Sequence, residues 1–188
     1  MRRLVSFMHV SLDGFVAGPN GEMDWIKVDD EIFDYAGHRT SVADTALYGR
    51  VTYEMMDAYW PTAPDQPNAS KHDIEHGTWY MQVEKVVLSK SMKGQQKPNT
   101  IIISDDVEHR IKALKQQAGS EIIIFGSPGA SHTLMHYGLI DEFWIFVNPV
   151  LVGKGIPLFK DIQQVTELKL VASKQFASGV VCLHYEKA

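Results

Sequence analysis

Short apolar runs, each followed by a helical pattern, restrict this chain to very few fold classes. The clearest run is Glu121–Phe125, and residues 86–88 and 100–103 are two others. Runs dominated by Val, Ile and Leu without polar alternation are typical of strands that are buried on both faces. Because helical patterns stand between them, the first three quarters of the chain predict a largely parallel sheet with helices on its faces.

The C-terminal quarter has a different pattern. Residues 168–176 and 180–185 are two alternating runs that meet at Ser178-Gly179, which predicts an antiparallel hairpin. A further apolar strand is expected over 143–147. At 188 residues the chain is long enough for one sizeable core, so we expect a single α/β domain over 1–188 with a mixed, mostly parallel sheet.

Charge and composition exclude several function classes. The net charge is -5 and the Lys and Arg residues are spread along the chain, so we expect no nucleic-acid partner. No run reaches the ~18 apolar residues of a membrane span, and the first ten residues read as a strand rather than a signal peptide. Cys182 is the only cysteine; it excludes an internal disulfide and fits a reducing, cytoplasmic location. Its place in an alternating run predicts a buried structural thiol.

Gly49 marks a junction between an apolar run and a helical pattern that ends near Pro61. A strand that turns into a helix leaves free backbone N–H groups and the positive end of the helix dipole at one place, which suits a phosphate. Arg50 adds a forked cation and Thr52 a hydroxyl. Many such junctions bind nothing, so this segment alone also has a purely structural interpretation.

Two more strand ends carry similar groups. Ser89 and Lys90 follow the run at 86–88, and residues 126–129 follow Glu121–Phe125. Ligands of open α/β sheets bind outside the carboxyl ends of the strands, so the three segments are expected to converge on one extended, phosphate-containing ligand. Neither the three-glycine dinucleotide motif nor the Walker spacing occurs in the chain.

An ordered set of motifs resembles the dihydrofolate reductase superfamily, and within it the bacterial branch built like the C-terminal reductase domain of bifunctional riboflavin-biosynthesis proteins. The resemblance covers essentially the whole chain. Its motifs are Ser11-Leu-Asp-Gly14, Trp25 with Asp30, Tyr48-Gly-Arg-x-Thr-Tyr-Glu54, Val87-Leu-Ser89, Phe125-Gly126, and Pro149-Val-Leu-x-Gly-x-Gly155 before Pro157-Leu-Phe159.

The resemblance implies a three-layer α/β fold with NADPH lying across the strand ends. It implies contacts to the cofactor from Gly14, Gly49, Arg50, Thr52, Ser89, Lys90, Gly126, Ser127 and Gly129. A fixed cation such as Lys90 favours NADPH over NADH, because NADPH carries an additional phosphate.

By the same resemblance the protein is an NADPH-dependent oxidoreductase that transfers hydride to a small heteroaromatic (pterin- or aminopyrimidine-like) or carbonyl substrate. Asp13 is expected near the nicotinamide. Asp30 corresponds to the carboxylate that holds the pterin ring, and a half-buried Asp30 with a raised pKa is expected to manage a proton or anchor the substrate. Asp29 is a rival one residue away, and either carboxylate is equally explained as a helix-start residue.

Aromatic residues near the proposed site are candidates for a substrate wall. They are Trp25, Tyr53 and Trp60, and core packing explains Tyr53 and Trp60 equally well. The histidine pairs His72/His76 and His132/His136 have helical spacing but no third ligand, so we expect solvated or capping histidines and no metal.

The chain departs from the family pattern in two places that bear on function. Ser127 follows Gly126 where pterin reductases have a second glycine. Residues 55–75 also contain no arginine to hold a folate tail. The alternative function is therefore a non-catalytic nucleotide-binding protein that keeps the fold. The apolar strand at 143–147 and the terminal hairpin would suit a homodimer.

Overall fold

The computed structural model describes residues 1–162 and 164–188, which form ten strands and five α-helices. The strands are β1 Leu4–Ser11, β2 Phe15–Ala17, β3 Ala43–Gly49, β4 Glu84–Leu88, β5 Thr100–Ile103, β6 Glu121–Phe125, β7 Glu142–Asn148, β8 Ile156–Pro157, β9 Leu168–Gln175 and β10 Val181–Lys187. The helices are α1 Asp30–Thr40, α2 Arg50–Tyr59, α3 Lys71–Gln82, α4 Val107–Gln116 and α5 Pro128–His136, with a 3-10 turn at Ala63–Asp65.

Eight strands form one mixed sheet in the order β5-β4-β3-β6-β1-β7-β10-β9. The first six run parallel, and β10 and β9 close the sheet as an antiparallel pair. The predicted fold class is thereby confirmed. The 143–147 run lies in β7, between β1 and β10, so this strand is inside the sheet and is not a free edge for dimer formation.

Each face of the sheet carries its own apolar layer. Leu4, Met8 and Val10 of β1 point to the face that α4 and α5 cover, whereas Val5 and Phe7 point to the face of α1, α2 and α3. Strands that are buried on both faces explain the continuous apolar runs. Cys182 is buried in the second layer, as predicted, and burial raises the pKa of its thiol to about 12.

Local sequence explains where the helices of the second layer start and how closely they pack. Ser70 caps α3 in a reciprocal pair with Asp73. Gly77 is needed inside α3, because a Cβ there would lie 2.6 Å from Cγ of Pro64. The missing side chain lets α3 approach the 60–65 segment. Asp106 occupies the N-cap position of α4 but makes no side-chain capping bond.

Ion pairs tie the amino ends of the parallel strands together. Arg2 pairs with Asp44, Arg39 pairs with Glu121, and Lys115 reaches Asp141 at 2.6 Å. The opposite, carboxyl edge is the one that carries the predicted site segments. No helix within the described residues has the length and hydropathy that a membrane crossing requires.

Candidate active site

Four strand ends that carry predicted site residues lie side by side. In spatial order they belong to β4, β3, β6 and β1, and they are followed by Ser89-Lys90, Gly49-Arg50, residues 126–129 and Asp13-Gly14. Neighbouring strands are about 4.8 Å apart, so the four ends span roughly 14 Å along one edge. The strand order therefore turns segments that are far apart in sequence into one row.

A hydrogen bond joins the two central segments. The backbone N–H of Gly49 donates to Oγ of Ser127 over 3.0 Å. Gly49 is the N-cap of α2 and Ser127 is the N-cap of α5, so the first turns of two helices start next to each other. The first N–H groups of a helix have no acceptor within it, which makes this junction rich in backbone donors.

Gly126 and Ser127 both adopt the left-handed region, with φ of 55° and 56°. The glycine-plus-serine pair therefore has the unusual backbone that two glycines would adopt easily. Ser127 is 3% exposed, and a left-handed residue with a side chain costs about 1–2 kcal/mol. The hydrogen bond from Gly49 offsets part of this cost. At Gly126, a Cβ would lie 3.6 Å from Cγ2 of Thr52.

Exposed cations stand beside these donors. Arg50 is exposed at the first turn of α2, where Nη1 contacts Oε2 of Glu54 at 2.8 Å. Lys90 is exposed after β4, and Oγ of Ser89 accepts from the N–H of Met92. Leu88 lies opposite Gly49 in the sheet. Ser89 and Arg50, the next residues of the two strands, therefore start from adjacent positions.

Asp13 ties together two loops at the end of β1. Its Oδ2 accepts from the N–H of Gly153 at 2.7 Å, and its Oδ1 accepts from Val152 and from the hydroxyl of Ser11. These bonds, the Ser11 bond most, hold the pKa of Asp13 below its usual range. Asp13 is therefore an ionised acceptor that positions a loop, which does not suit it to donate a proton. Gly14 next to it has φ 85°.

Asp29 and Asp30 divide the two roles that the sequence left open. Oδ1 of Asp29 accepts from the N–H of Ile32, so Asp29 caps α1. Asp30 is exposed in the first turn, and the expectation that it is half-buried is wrong. Asp30 lines a cavity of about 300 Å³ between α1 and α3. Because its neighbour supplies the cap, its carboxylate is available to a ligand in that cavity.

Rings of α1, α2 and α3 form a continuous cluster beside this cavity, and the sequence did not indicate it. Phe33 and His72 stack at 3.8 Å between ring centroids, and His72 continues to His76 and Trp60. His76 packs 4.2 Å from Trp60 and reaches Phe125, the last residue of β6. The cluster therefore runs from the cavity to the segment that begins at Gly126.

His76 is buried and His72 is half-buried, so the prediction of solvated or capping histidines is wrong for His76. Burial, with a smaller contribution from His72, lowers the pKa of His76 to about 3. Burial likewise lowers the pKa of His9, near the end of β1, to about 4, and its Nδ1 is buried without a hydrogen-bond partner in the described chain. These imidazoles are neutral at pH 7.

Three predicted aromatic site residues have different surroundings. Trp60 lies in the ring cluster. Trp25 is half-buried in the loop before α1, where its Nε1 donates to the carbonyl of Glu22, and its substrate role stays a prediction. Tyr53 is 3% exposed and packs on Tyr48 in the core, so its prediction as a substrate residue is wrong and the core-packing alternative is correct.

His132 has a structural explanation. Its Nε2 lies 3.0 Å from the carbonyl oxygens of both Pro157 and Leu158, which ties α5 to β8. Within residues 1–162 and 164–188, no three His, Cys, Asp or Glu side chains are grouped to hold a metal ion.

The sequence matches the RibD C-terminal domain family over residues 2–182, nearly the whole chain. The chain belongs to the RibD C-terminal domain family. A similar sequence is the uncharacterized protein YyaP of Bacillus subtilis strain 168, which is 33% identical over 186 residues, or 98% of this chain and 94% of YyaP.

Solved structures share the fold of this RibD C-terminal domain. One is the diaminohydroxyphosphoribosylaminopyrimidine deaminase/5-amino-6-(5-phosphoribosylamino)uracil reductase of Thermotoga maritima, with a TM-score of 0.66, 16% identity, and 100% of this chain matched to 57% of that one. Another is the dihydrofolate reductase of Enterococcus faecalis, with a TM-score of 0.64, 14% identity, and 98% and 96% of the two chains matched. The chain therefore shares the fold of these reductases, and the family match confirms the predicted resemblance to the reductase domain of riboflavin-biosynthesis proteins.

Proposed function

We propose that the protein is an NADPH-dependent reductase of a small planar substrate. The observation that carries the proposal is the row of donors and cations along one sheet edge, from Lys90 through Arg50 and the paired starts of α2 and α5 to the loop of Asp13 and Gly14. Such a row fits a long ligand with several phosphates, and the reductase-type fold of the RibD family supports the same cofactor.

The residues present fit NADPH at each point along this row. The helix starts offer N–H groups to a pyrophosphate. Gly126 has no side chain, and the atom nearest to where its Cβ would stand is Cγ2 of Thr52, so a ligand has room to approach the backbone. Arg50 and Lys90 supply charge for phosphates, Lys90 for the additional phosphate of NADPH. The bound cofactor would supply the hydride.

The chain itself must hold and orient the substrate and keep water out. Asp30 is the residue that we assign to substrate anchoring, as the acceptor for an amino or ring N–H group at the mouth of the α1–α3 cavity. Asp13 acts indirectly: by fixing the N–H groups of Val152 and Gly153, it holds the 150–155 loop over the end of β1.

The test combines binding and turnover. NADPH is titrated by thermal shift, and its oxidation is followed by absorbance against pterin, aminouracil and quinone substrates. We expect Asp30→Asn to keep NADPH binding and to lose at least tenfold in kcat/KM. Glu31→Gln is the matched control, because Glu31 is the adjacent acid and faces Lys174 instead. Equal losses of kcat/KM in both variants would contradict a substrate-anchoring role for Asp30.

A non-catalytic nucleotide-binding protein is the second candidate, and Ser127 in place of glycine is the observation that favours it. NADPH binding without oxidation across the whole substrate panel would establish this alternative. Absence of NADPH binding to the folded protein would reject both functions.

We also propose a homodimer, formed through the edge strand β9. Leu168, Leu170 and Val171 of this strand are 37%, 51% and 48% exposed, and among the described strands β9 pairs only with β10. An exposed apolar edge is a ready surface for pairing with a second copy. Light scattering should give the mass of two chains for the wild type and of one chain for Val171→Lys; a monomeric wild type would refute the dimer.

A further inference from the structure

His9 places a polar side chain among aromatic rings near the carboxyl end of β1. Its ring stacks on Phe146 of the neighbouring strand β7, with 4.8 Å between the ring centroids and an interplanar angle of 20°. Its Nδ1 is buried and has no hydrogen-bond partner within the described residues. A buried polar atom without a partner is rare, because it has lost its bonds to water without replacement. Nδ1 of His9 is therefore a candidate for a bond to a bound molecule.

Two other buried polar groups differ from His9 in their exposure. Oη of Tyr48 and Oγ of Ser131 also lack a partner in the part of the chain that the structure describes. Both residues are 0% exposed, so a ligand does not reach them. His9 is half-buried, so part of its ring stays open to the surface. A bound molecule can therefore supply a partner at His9 but not at Tyr48 or Ser131.

The sheet is open on one side of His9. β6 pairs with β1 only as far as Phe7, which lies opposite Phe125. The chain then leaves the sheet at Gly126, whose N–H donates to the carbonyl of Phe7 over 3.2 Å. β1 continues to Ser11 with β7 alone beside it among the described strands. His9 therefore lies two residues, or roughly 7 Å, beyond the point where the proposed cofactor row crosses from β6 to β1.

The side chain of His9 points to the face of the sheet that α1, α2 and α3 cover. It alternates along β1 with Val5 and Phe7, which belong to the apolar layer of that face. One helix of this face is α1, which begins at Asp30, the proposed substrate anchor. A ring that reaches the end of β1 from this face would therefore meet His9.

The imidazole of His9 is uncharged at pH 7, because burial lowers its pKa to about 4. A neutral imidazole has one N–H donor and one acceptor nitrogen. It suits an uncharged carbonyl or amide group, whereas a phosphate or carboxylate is held best by a cation. The carboxamide of nicotinamide and the carbonyl or amide edge of a substrate both have this chemistry.

We infer that His9 is a further binding residue of the active site, whose imidazole forms a hydrogen bond with an uncharged carbonyl or amide group of a ring bound at the open side of β1. The inference rests on the proposed function, because NADPH bound along the row brings such a ring to this place. It adds a contact that Asp13 and Asp30 do not supply when ionised, since a carboxylate accepts hydrogen bonds and donates none.

The experiment measures binding and turnover in His9→Phe, which keeps an aromatic ring on Phe146 and removes both nitrogens. Calorimetry gives the affinities for NADP+ and for 2′,5′-ADP, which lacks the nicotinamide ring. Values of kcat and KM are measured with NADPH and the pterin, aminouracil and quinone substrates. His9→Asn is the conservative variant, because its amide keeps a donor and an acceptor. Circular dichroism and melting check the fold, and His9→Leu repeats the measurements if His9→Phe melts below the wild type.

Two results support the inference and identify the bound group. If the group is the nicotinamide carboxamide, His9→Phe weakens NADP+ about fivefold or more and leaves 2′,5′-ADP within about twofold. If the group belongs to the substrate, the NADP+ affinity is unchanged and KM rises about tenfold or more. In both cases His9→Asn should recover most of the loss. Tyr48→Phe is the matched control, because it removes another buried polar atom without a described partner and should change none of these values.

Three results would overturn the inference. The first is a His9→Phe variant whose NADP+ affinity and KM both stay within about twofold of the wild type; water would then be the partner of Nδ1. The second is a 2′,5′-ADP affinity that falls as much as that for NADP+, and the third is an equal effect of Tyr48→Phe. If no substrate is turned over, the NADP+ affinity decides alone. Binding of 2′,5′-ADP to the wild type separates these failures from failure of the proposed function, because it reports on the cofactor row without a ring at His9.

Discussion

Ser127 offers a quantitative test of the junction between the two helix starts. It adopts φ 56° and ψ 58°, and its Oγ accepts from the N–H of Gly49 at 3.0 Å. Two effects therefore oppose each other at one residue. The left-handed backbone costs about 1–2 kcal/mol relative to glycine. The hydrogen bond contributes about 1 kcal/mol.

Two substitutions separate these effects. Ser127→Ala loses the hydrogen bond and keeps the backbone cost, whereas Ser127→Gly loses both. The Gly variant should therefore be more stable than the Ala variant by about 1–2 kcal/mol, and within about 1 kcal/mol of the wild type. For a chain of this size the difference corresponds to a Tm difference of about 2–8 °C.

Urea unfolding and thermal melts of the three proteins measure this difference. Asp106 is a matched position, because it has φ 45° and makes no side-chain capping bond. The Asp106→Ala and Asp106→Gly pair should show the same 1–2 kcal/mol backbone term without any lost bond. An Ala variant at 127 that equals the Gly variant, with the expected gap at 106, would refute the left-handed geometry of Ser127.

Three further predictions follow from the site. Arg50→Ala should weaken NADPH binding about tenfold or more. It should change the free energy of unfolding by less than about 0.5 kcal/mol, because the ion pair of Arg50 with Glu54 is exposed. Equal weakening of NADPH binding by Arg110→Ala would contradict a specific contact from Arg50. Asp13→Ala should lower the hydrogen-exchange protection factors of the Val152 and Gly153 amides but not those of β1. Because the folded pKa of Asp13 is depressed, acidification of the wild type below about pH 4, through that pKa, should lower the same protection factors; unchanged protection in both would contradict the clamp. The folded pKa of His76 is about 3, so between pH 6.5 and that value only the unfolded chain binds the proton, which costs the wild type about 1.4 kcal/mol of stability per pH unit. His76→Phe should remove this contribution and so reduce the loss of stability below pH 6.5. An unchanged pH slope in urea unfolding would contradict the burial of His76.

The sequence predicted most of the sheet because its strands are short, apolar and bounded by glycine or polar turns. Glu121–Phe125 and Thr100–Ile103 have the predicted bounds, and the strand-to-helix turn at Gly49 is where the pattern placed it. These features depend on neighbouring residues alone, so they are visible along the chain. The strand order that aligns the site segments also follows general rules of α/β topology.

The site itself was only partly predictable, because side-chain surroundings depend on residues far apart in sequence. Which of Asp29 and Asp30 caps α1 is decided by helix geometry that the two-residue pattern leaves open. Tyr53 and His76 are buried because α2 and α3 pack on the sheet and on the 60–65 segment, a packing that helical spacing alone does not encode. The α1–α3 cavity arises from the same packing.

Titration of the folded protein with NADPH tests the central claim most directly. At a concentration one hundred times its Kd, a ligand that binds the native state stabilises it by about 2.7 kcal/mol, which for this chain is a rise in Tm of about 5–11 °C. We predict a rise of this size with NADPH, growing with the logarithm of its concentration, and a smaller rise with NADH at the same concentration, because Lys90 and Arg50 favour the additional phosphate. No rise in Tm with NADPH, at concentrations where known reductases are saturated, would contradict the account.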